Sequence, residues 1–346
     1  MKKAITFLLA ASMLFAFAAC SSPQEEQPFH TAQTKYTKEL FAMGTSVTLT
    51  AYGENAETAV EKSANDLLLW QSLWSTRSDD SELSKANHAE GEPTKISDVT
   101  ANLLRFTLEM SEKTGGRLDP TVQPLMNVWG FTDRNFKVPT DEELNAAKAL
   151  VGYQKVSLEG NTLTMPAGMQ LDFGAVAKGY ACDLITDDWK AQGITSGLVN
   201  LGGNIAVIGK NETDENWKIA VQNPNDNSAI GILNVTDCSV VTSGSYIRYF
   251  EDENGNTYGH IMNPATGYPV KGDIKSVTVV GKDSKVCDAL ATAFYVMGFD
   301  GAVEYLHKNG ETEAIFVTAD DKIYITSGLQ SLFDKAENIE NIHVIG

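Results

Sequence analysis

Three segments of the chain carry side chains that could do polar chemistry. "LDFGAVAKGYACD" (171–183) sets Asp172, Gly174, Lys178 and Gly179 ahead of an apolar helical run, as a phosphate-holding segment would. It is neither G-x-x-x-x-G-K-[ST] nor G-x-G-x-x-G, so the common nucleotide loops do not describe it. "KVCDALATAFYVMG" (285–298) places Asp288 and Thr292 one helical turn apart, on one side. Two hard oxygens at that spacing suit Mg²⁺, which takes one or two carboxylates and leaves its other positions to water and phosphate. The same residues also fit a purely structural arrangement, with Asp288 complementing its own helix N-terminus and Thr292 bonding back to a carbonyl. "YGHIMNPATGYPV" (258–270) embeds His260 between a short strand and a Pro/Gly turn, where an imidazole can be a general base or a turn histidine bonded to its own backbone. Two weaker segments accompany these. "VVTSGSYIRYF" (240–250) clusters Thr242, Ser243 and Ser245 around Gly244, and "VNLGGNIAVIG" (199–209) puts Gly202, Gly203 and Asn204 where backbone can approach a ligand.

The elements around them read as follows. "TSVTLTAYG" (45–53) alternates as a strand does, and 55–74 and 97–116 have helical spacing, the second with Ser97 as N-cap and Gly115–Gly116 as stop. "STRSDDSELSKANHAEGEP" between them reads as a polar loop, and "RLDPTVQPLMNVWGF" (117–131) as an ordered loop. A short helix follows at "TDEELNAAKALVG", opened by the capping box Thr140-x-x-Glu143. Beyond residue 153 strands dominate, at 153–158, 162–165, 197–201, 204–208, 217–222, 230–236, 239–243, 246–251, 274–281, 313–317 and 322–326. Helices interrupt them at about 175–192, 285–297 and 299–308. Strands without regular helix alternation predict an α+β fold with mixed or antiparallel sheets and packed helices, not a doubly wound Rossmann sheet.

The N-terminus is of another kind. Lys2 and Lys3 precede an apolar run from Ala4 to Ala19, which ends in "FAAC"; this reads as a secretory signal, too short for a spanning helix. Cys20 after Ala18-Ala19 resembles a bacterial lipobox, with Phe17 where a leucine-like residue is usual. The expected organisation is a lipoprotein signal peptide over 1–19, a lipid-anchored tether over 20–38 and one domain over 39–346. That domain has room for two intimate subdomains. The chain is exported and membrane-anchored on this reading, at the periplasmic side or outer face of the cell membrane. With 42% hydrophobic residues the chain is globular. Its formal charge of −18 disfavours nucleic acid and anionic lipid as partners, and an anionic ligand must be held by local devices: a metal ion, backbone amides or a lysine. Cys182, Cys238 and Cys287 have no C-x-x-C spacing and read as buried free thiols.

Taken in order, "FAMGTSV", "STRSDDSEL", "LDPTVQPLMNVWGF", "LDFGAVAKGYACD", "VNLGGNIAVIGK", "VVTSGSYIRYF", "GHIMNPATGYPV" and "CDALATAFYVMG" resemble the ApbE-type flavin transferase family, from about Phe41 to Gly328. The resemblance implies an ApbE-like, T-fold-related architecture. It also implies an enzyme that uses Mg²⁺ to move FMN from FAD onto a threonine or serine of a target protein, releasing AMP. Met43, Arg77, Arg117, Leu118, Asp119, Asp172, Lys178 and Ile261 fall at its FAD-contacting positions, and Ala175, Asp288 and Thr292 at its metal positions. His260 matches a proposed base. This chain has Arg77 where relatives often have tyrosine, Ala175 where some have a hydroxyl residue, and Ala291 where some have a second aspartate. An FAD pyrophosphatase acting from the same site, or a lipoprotein that binds flavin without catalysis, are the alternatives. The acceptor motif D-x-x-[ST]-x-A-[ST] does not occur in the chain, so the acceptor is expected to be a separate protein, a membrane redox subunit or an extracellular flavoprotein.

Overall fold

The computed structural model describes residues 34–226, 228–244 and 248–346. It opens with a hairpin of β1 (Lys35–Ala42) and β2 (Thr45–Tyr52), followed by α1 (Ala56–Trp74), α2 (Glu82–Asn87), β3 (Thr94–Lys95) and α3 (Asp98–Lys113). Next come α4 (Gln123–Val128), α5 (Asp141–Ala149), β4 (Ser157–Glu159), β5 (Thr162–Thr164) and α6 (Ala177–Ala191). The strand-rich part runs β6 (Ser196–Leu201), β7 (Asn204–Ile208), β8 (Trp217–Gln222), β9 (Ala229–Val235), β10 (Ser239–Gly244), β11 (Tyr249–Glu251), β12 (Thr257–Gly259) and β13 (Ile274–Gly281). The chain closes with α7 (Ser284–Met297), α8 (Phe299–Asn309), β14 (Glu313–Thr318), β15 (Ile323–Thr326), β16 (Phe333–Lys335) and β17 (Ile342–Ile345).

Nine strands form one sheet in the order β1-β2-β6-β7-β10-β13-β14-β15-β17, antiparallel except for the parallel pair β15–β17. Its central strands are apolar at successive positions because both faces are covered. Side chains alternate across a strand, so Val241, Val277, Val279 and Phe316 enter the core under the helices. Their neighbours Val240, Val280, Ile315 and Val317 enter a second core against the small sheet β16-β9-β8. A third cluster, around Trp129, Phe131, Leu125 and Met262, lies apart from these two. The α+β class with mixed and antiparallel sheets is as expected, and the described residues form one compact unit.

Helix caps follow the sequence closely. Ser97 accepts from Thr100 N, and the Thr140–Glu143 capping box is complete. Other expectations need correcting. β1 begins at Lys35, so residues 35–38 lie in the sheet rather than in a tether; the alternation in "KYTKELFA" pairs them with β2. The polar loop holds α2, started by the Ser81 hydroxyl, which accepts from Ser84 N. The ordered loop holds α4 after a 3₁₀ turn, and residues 153–155 form another 3₁₀ turn, so that strand is shortened to 157–159. Cys182 and Cys287 are buried free thiols, and Cys238 is a half-buried one. Among the described residues no helix is long and apolar enough to cross a membrane. Cys20 and the signal-like segment lie outside the described residues.

Candidate active site

Helices α6 and α7 approach each other so closely that only a glycine fits between them. A Cβ on Gly179 would stand 2.4 Å from the Ser284 carbonyl oxygen and 2.6 Å from the Asp288 Cβ. This approach brings the buried Asp288 carboxylate to the first turn of α6, where Oδ2 accepts from the Gly179 N–H at 2.8 Å. Helix N-termini leave such N–H groups without intrahelical partners and favour negative charge. Asp288 thus complements a helix N-terminus, but that of α6 and not its own. Lys178 Nζ lies 3.7 Å from Asp288 Oδ2 and donates to the Gly174 carbonyl.

That contact frees another oxygen. In a continued helix the Gly179 N–H would close on the Ala175 carbonyl; here it goes to Asp288, and the Ala175 carbonyl has no hydrogen-bond partner among the described residues. The same holds for Asp288 Oδ1 and for the Thr292 hydroxyl, which does not bond back along α7. All three residues line one cavity of about 380 Å³. Among the described residues no group of three or more His, Cys, Asp or Glu is placed to hold a metal. A carboxylate, a hydroxyl and a carbonyl are nevertheless a fitting donor set for a hard cation that completes its shell with phosphate and water. Asn204, buried in the same wall, adds an Nδ2 donor with no partner among the described residues.

His260 faces this cavity from the residue after β12. Its ring Nδ1 and its backbone N–H both approach the Arg248 carbonyl at 3.1 Å. A carbonyl only accepts, so Nδ1 carries the proton and Nε2 keeps the lone pair. Burial, then the positive charges of Arg248 and Lys178, push the imidazole down to about 4, against a gain from the Arg248 carbonyl. The ring is therefore neutral at neutral pH and ready to accept a proton.

The remaining sequence-selected residues converge on the same place. Met43 and Gly44 form the two-residue turn between β1 and β2, both with positive φ (53° and 75°), the twist such hairpins favour. Gln71 Oε1 accepts from Met43 N at 2.6 Å and pins the turn at the cavity mouth. Arg117, Leu118, Asp119, Asp172, Lys178 and Ile261 line the same cavity. The Asp119 carboxylate is spent on its own loop, accepting from Thr121 N and Oγ1 and from Tyr153 N. Burial raises its pKa. Asp172 accepts from Gly174 N, and burial raises its pKa against the pull of Arg248, Lys178 and Arg77.

Arg77 sits apart from that group, in an adjoining outer lobe of about 820 Å³ that shares Met43, Gly44, Asp172, Gly174, Lys178 and Arg248 with the first. Sequence reading passed over Arg134 and Arg248, which also line this lobe. A signal was present: the chain has only five arginines, and Arg77, Arg117, Arg134 and Arg248 all border the two lobes. Thr242, Ser243 and Gly244 line the inner lobe, while Ser245 lies outside the described residues.

The model of the ApbE family matches residues 43–316. A FAD:protein FMN transferase of Vibrio cholerae is 33% identical over 340 residues, covering 95% of this chain and 99% of that protein. One of Haemophilus influenzae is 31% identical, covering 93% and 95%. Among solved structures, the ApbE protein of Thermotoga maritima superposes with a TM-score of 0.81 at 30% identity, covering 86% of this chain and 99% of that one. The flavin transferase ApbE of Vibrio cholerae gives 0.78 at 31%, covering 87% and 99%. Fold and relatives coincide: the chain belongs to the ApbE family.

Proposed function

We propose that the chain is a FAD:protein FMN transferase that places FMN, through a phosphoester bond, on a threonine or serine of a separate acceptor protein. The observation that carries this reading is the meeting of three partnerless oxygens, on Ala175, Asp288 and Thr292, with Lys178 and a neutral histidine in one cavity. Its relatives at about 30% identity or more bear that activity in their names. Ala175, Asp288 and Thr292 would hold Mg²⁺, which when bound neutralises pyrophosphate charge and polarises phosphorus. Lys178 and the first turn of α6 orient the pyrophosphate by opposite charge in a protein that is otherwise strongly anionic.

His260 Nε2 takes the proton of the acceptor hydroxyl as its oxygen bonds to the phosphorus on the FMN side. The bond from that phosphorus to the bridging oxygen breaks, and AMP leaves with the electron pair. The Arg248 carbonyl holds the ring tautomer that leaves Nε2 free. The sequence supports export and lipid attachment at Cys20, with a membrane redox subunit or extracellular flavoprotein as acceptor. The test is incubation of the purified chain with FAD, Mg²⁺ and candidate acceptor domains. An FMN-sized mass gain on the acceptor, lost in Asp288→Ala, is expected; FAD consumption with no labelled acceptor refutes transfer.

A further inference from the structure

Neither of the two helices that meet at the site caps itself. Val176, the residue before α6, has no polar side chain, and Asp283, the residue before α7, makes no side-chain capping bond to its own helix. Each helix takes its cap from the other instead. Asp288 of α7 accepts from Gly179 N in the first turn of α6 at 2.8 Å. One turn further along α6, Asp183 returns the contact. Its Oδ1 accepts from Ser284 N at 2.7 Å and its Oδ2 from Lys285 N at 3.1 Å, the first two amides of α7. Lys285 Nζ also donates to Asp183 Oδ2, at 3.1 Å.

Both exchanged contacts satisfy amides that a helix start leaves open. Together they also fix how far α7 slides along α6, since two bonds a turn apart hold a register that one bond would let pivot. The register has a chemical consequence. The Gly179–Asp288 bond is what leaves the Ala175 carbonyl without a partner among the described residues, and Thr292 follows Asp288 by one turn of the same helix. Asp183 itself lines neither lobe of the cavity. Any influence it has on the three oxygens must pass through the placement of α7.

We propose that Asp183 is a positioning residue for the cation site: by capping α7 it sets the register that brings Asp288 to Gly179 and keeps the oxygens of Ala175, Asp288 and Thr292 together. This rests on the Mg²⁺ site of the proposed function. The probe is Mn²⁺, titrated into the FAD-loaded full chain and followed by electron paramagnetic resonance. Asp183→Ala is expected to weaken Mn²⁺ binding about 10–100-fold, as loss of a group that orients metal ligands does. Asp183→Asn keeps an oxygen for the Ser284 amide without the charge, and is expected to retain most of the affinity. Equal affinity in the wild type and Asp183→Ala overturns the proposal. So does an Asp183→Asn variant as weak as Asp183→Ala, because the lost charge then explains both. A second measurement needs no variant. Coupling between two sites is reciprocal, so Mg²⁺ should slow hydrogen exchange at the Ser284 and Lys285 amides of the wild type, read by mass spectrometry. Unchanged exchange there overturns the proposal even where Asp183→Ala does not fold. A wild type that binds no Mn²⁺ refutes the metal site itself, whereas binding that Asp183→Ala leaves untouched refutes only the part given to Asp183.

Discussion

The two lobes of the cavity are built in opposite ways. In the inner lobe Asp288 sits on a helix and His260 directly after a strand, and a main-chain contact holds each: Asp288 by Gly179 N–H, His260 by the Arg248 carbonyl. In the outer lobe the charges ride on long arginine side chains from loops, and Arg77 and Arg134 are exposed. Bond making at phosphorus needs near-fixed geometry, because small displacements of a reacting group cost large factors in rate. The comparison therefore separates a lobe whose reactive groups are held by main-chain contacts from one lined by loop arginines, and variants in each must fail differently.

The largest expected effect is His260→Gln, which removes the base and should lower FMN transfer about 10²–10⁴-fold with FAD affinity nearly unchanged. Stopped assays of acceptor labelling beside FAD titrations read both quantities; an equal loss in each would break the distinction between the lobes. Next is Gly179→Ala. The added methyl has no room between α6 and α7, an overpacking cost of about 1–3 kcal/mol that also pushes Asp288 away. Thermal unfolding should shift down, with transfer lost beyond what the unfolded fraction accounts for.

Acid should act on the inner lobe in a set direction. His260 is pushed from an ordinary 6.5 to about 4 in the folded chain, so below 6.5 the unfolded chain binds the extra proton. Its contribution is fully present above about pH 6.5 and is lost between there and about pH 4, on the order of 3 kcal/mol in all. Denaturant titrations across that window, wild type against His260→Gln, isolate the term; parallel curves would contradict it. The smallest effect is Phe136→Ala. Loss of one stacked pair costs about 0.5–1.5 kcal/mol beyond lost burial. It should lower the thermal midpoint slightly while leaving FMN transfer and the FAD Kd nearly unchanged, because neither ring lines the inner lobe.

What could be read along the chain was whatever depends on neighbours in sequence. The helix caps at Ser97 and Thr140, the α+β class and the pairing of Asp288 with Thr292 on one helical face all follow from local spacing. So does the catalytic candidacy of His260 within its Pro/Gly turn. β1 and α2 were missed because charged residues on an edge strand and a six-residue helix carry little hydrophobic signal. Tertiary structure alone decided that the Ala175 carbonyl is free, since that depends on a carboxylate 113 positions further on reaching Gly179. It likewise decided that Arg134 and Arg248 stand together, because aromatic packing, not spacing, joins their loops. Periodicity encodes which face a residue takes; which faces meet is set by packing across the chain, and the chemistry of this site arises where they meet.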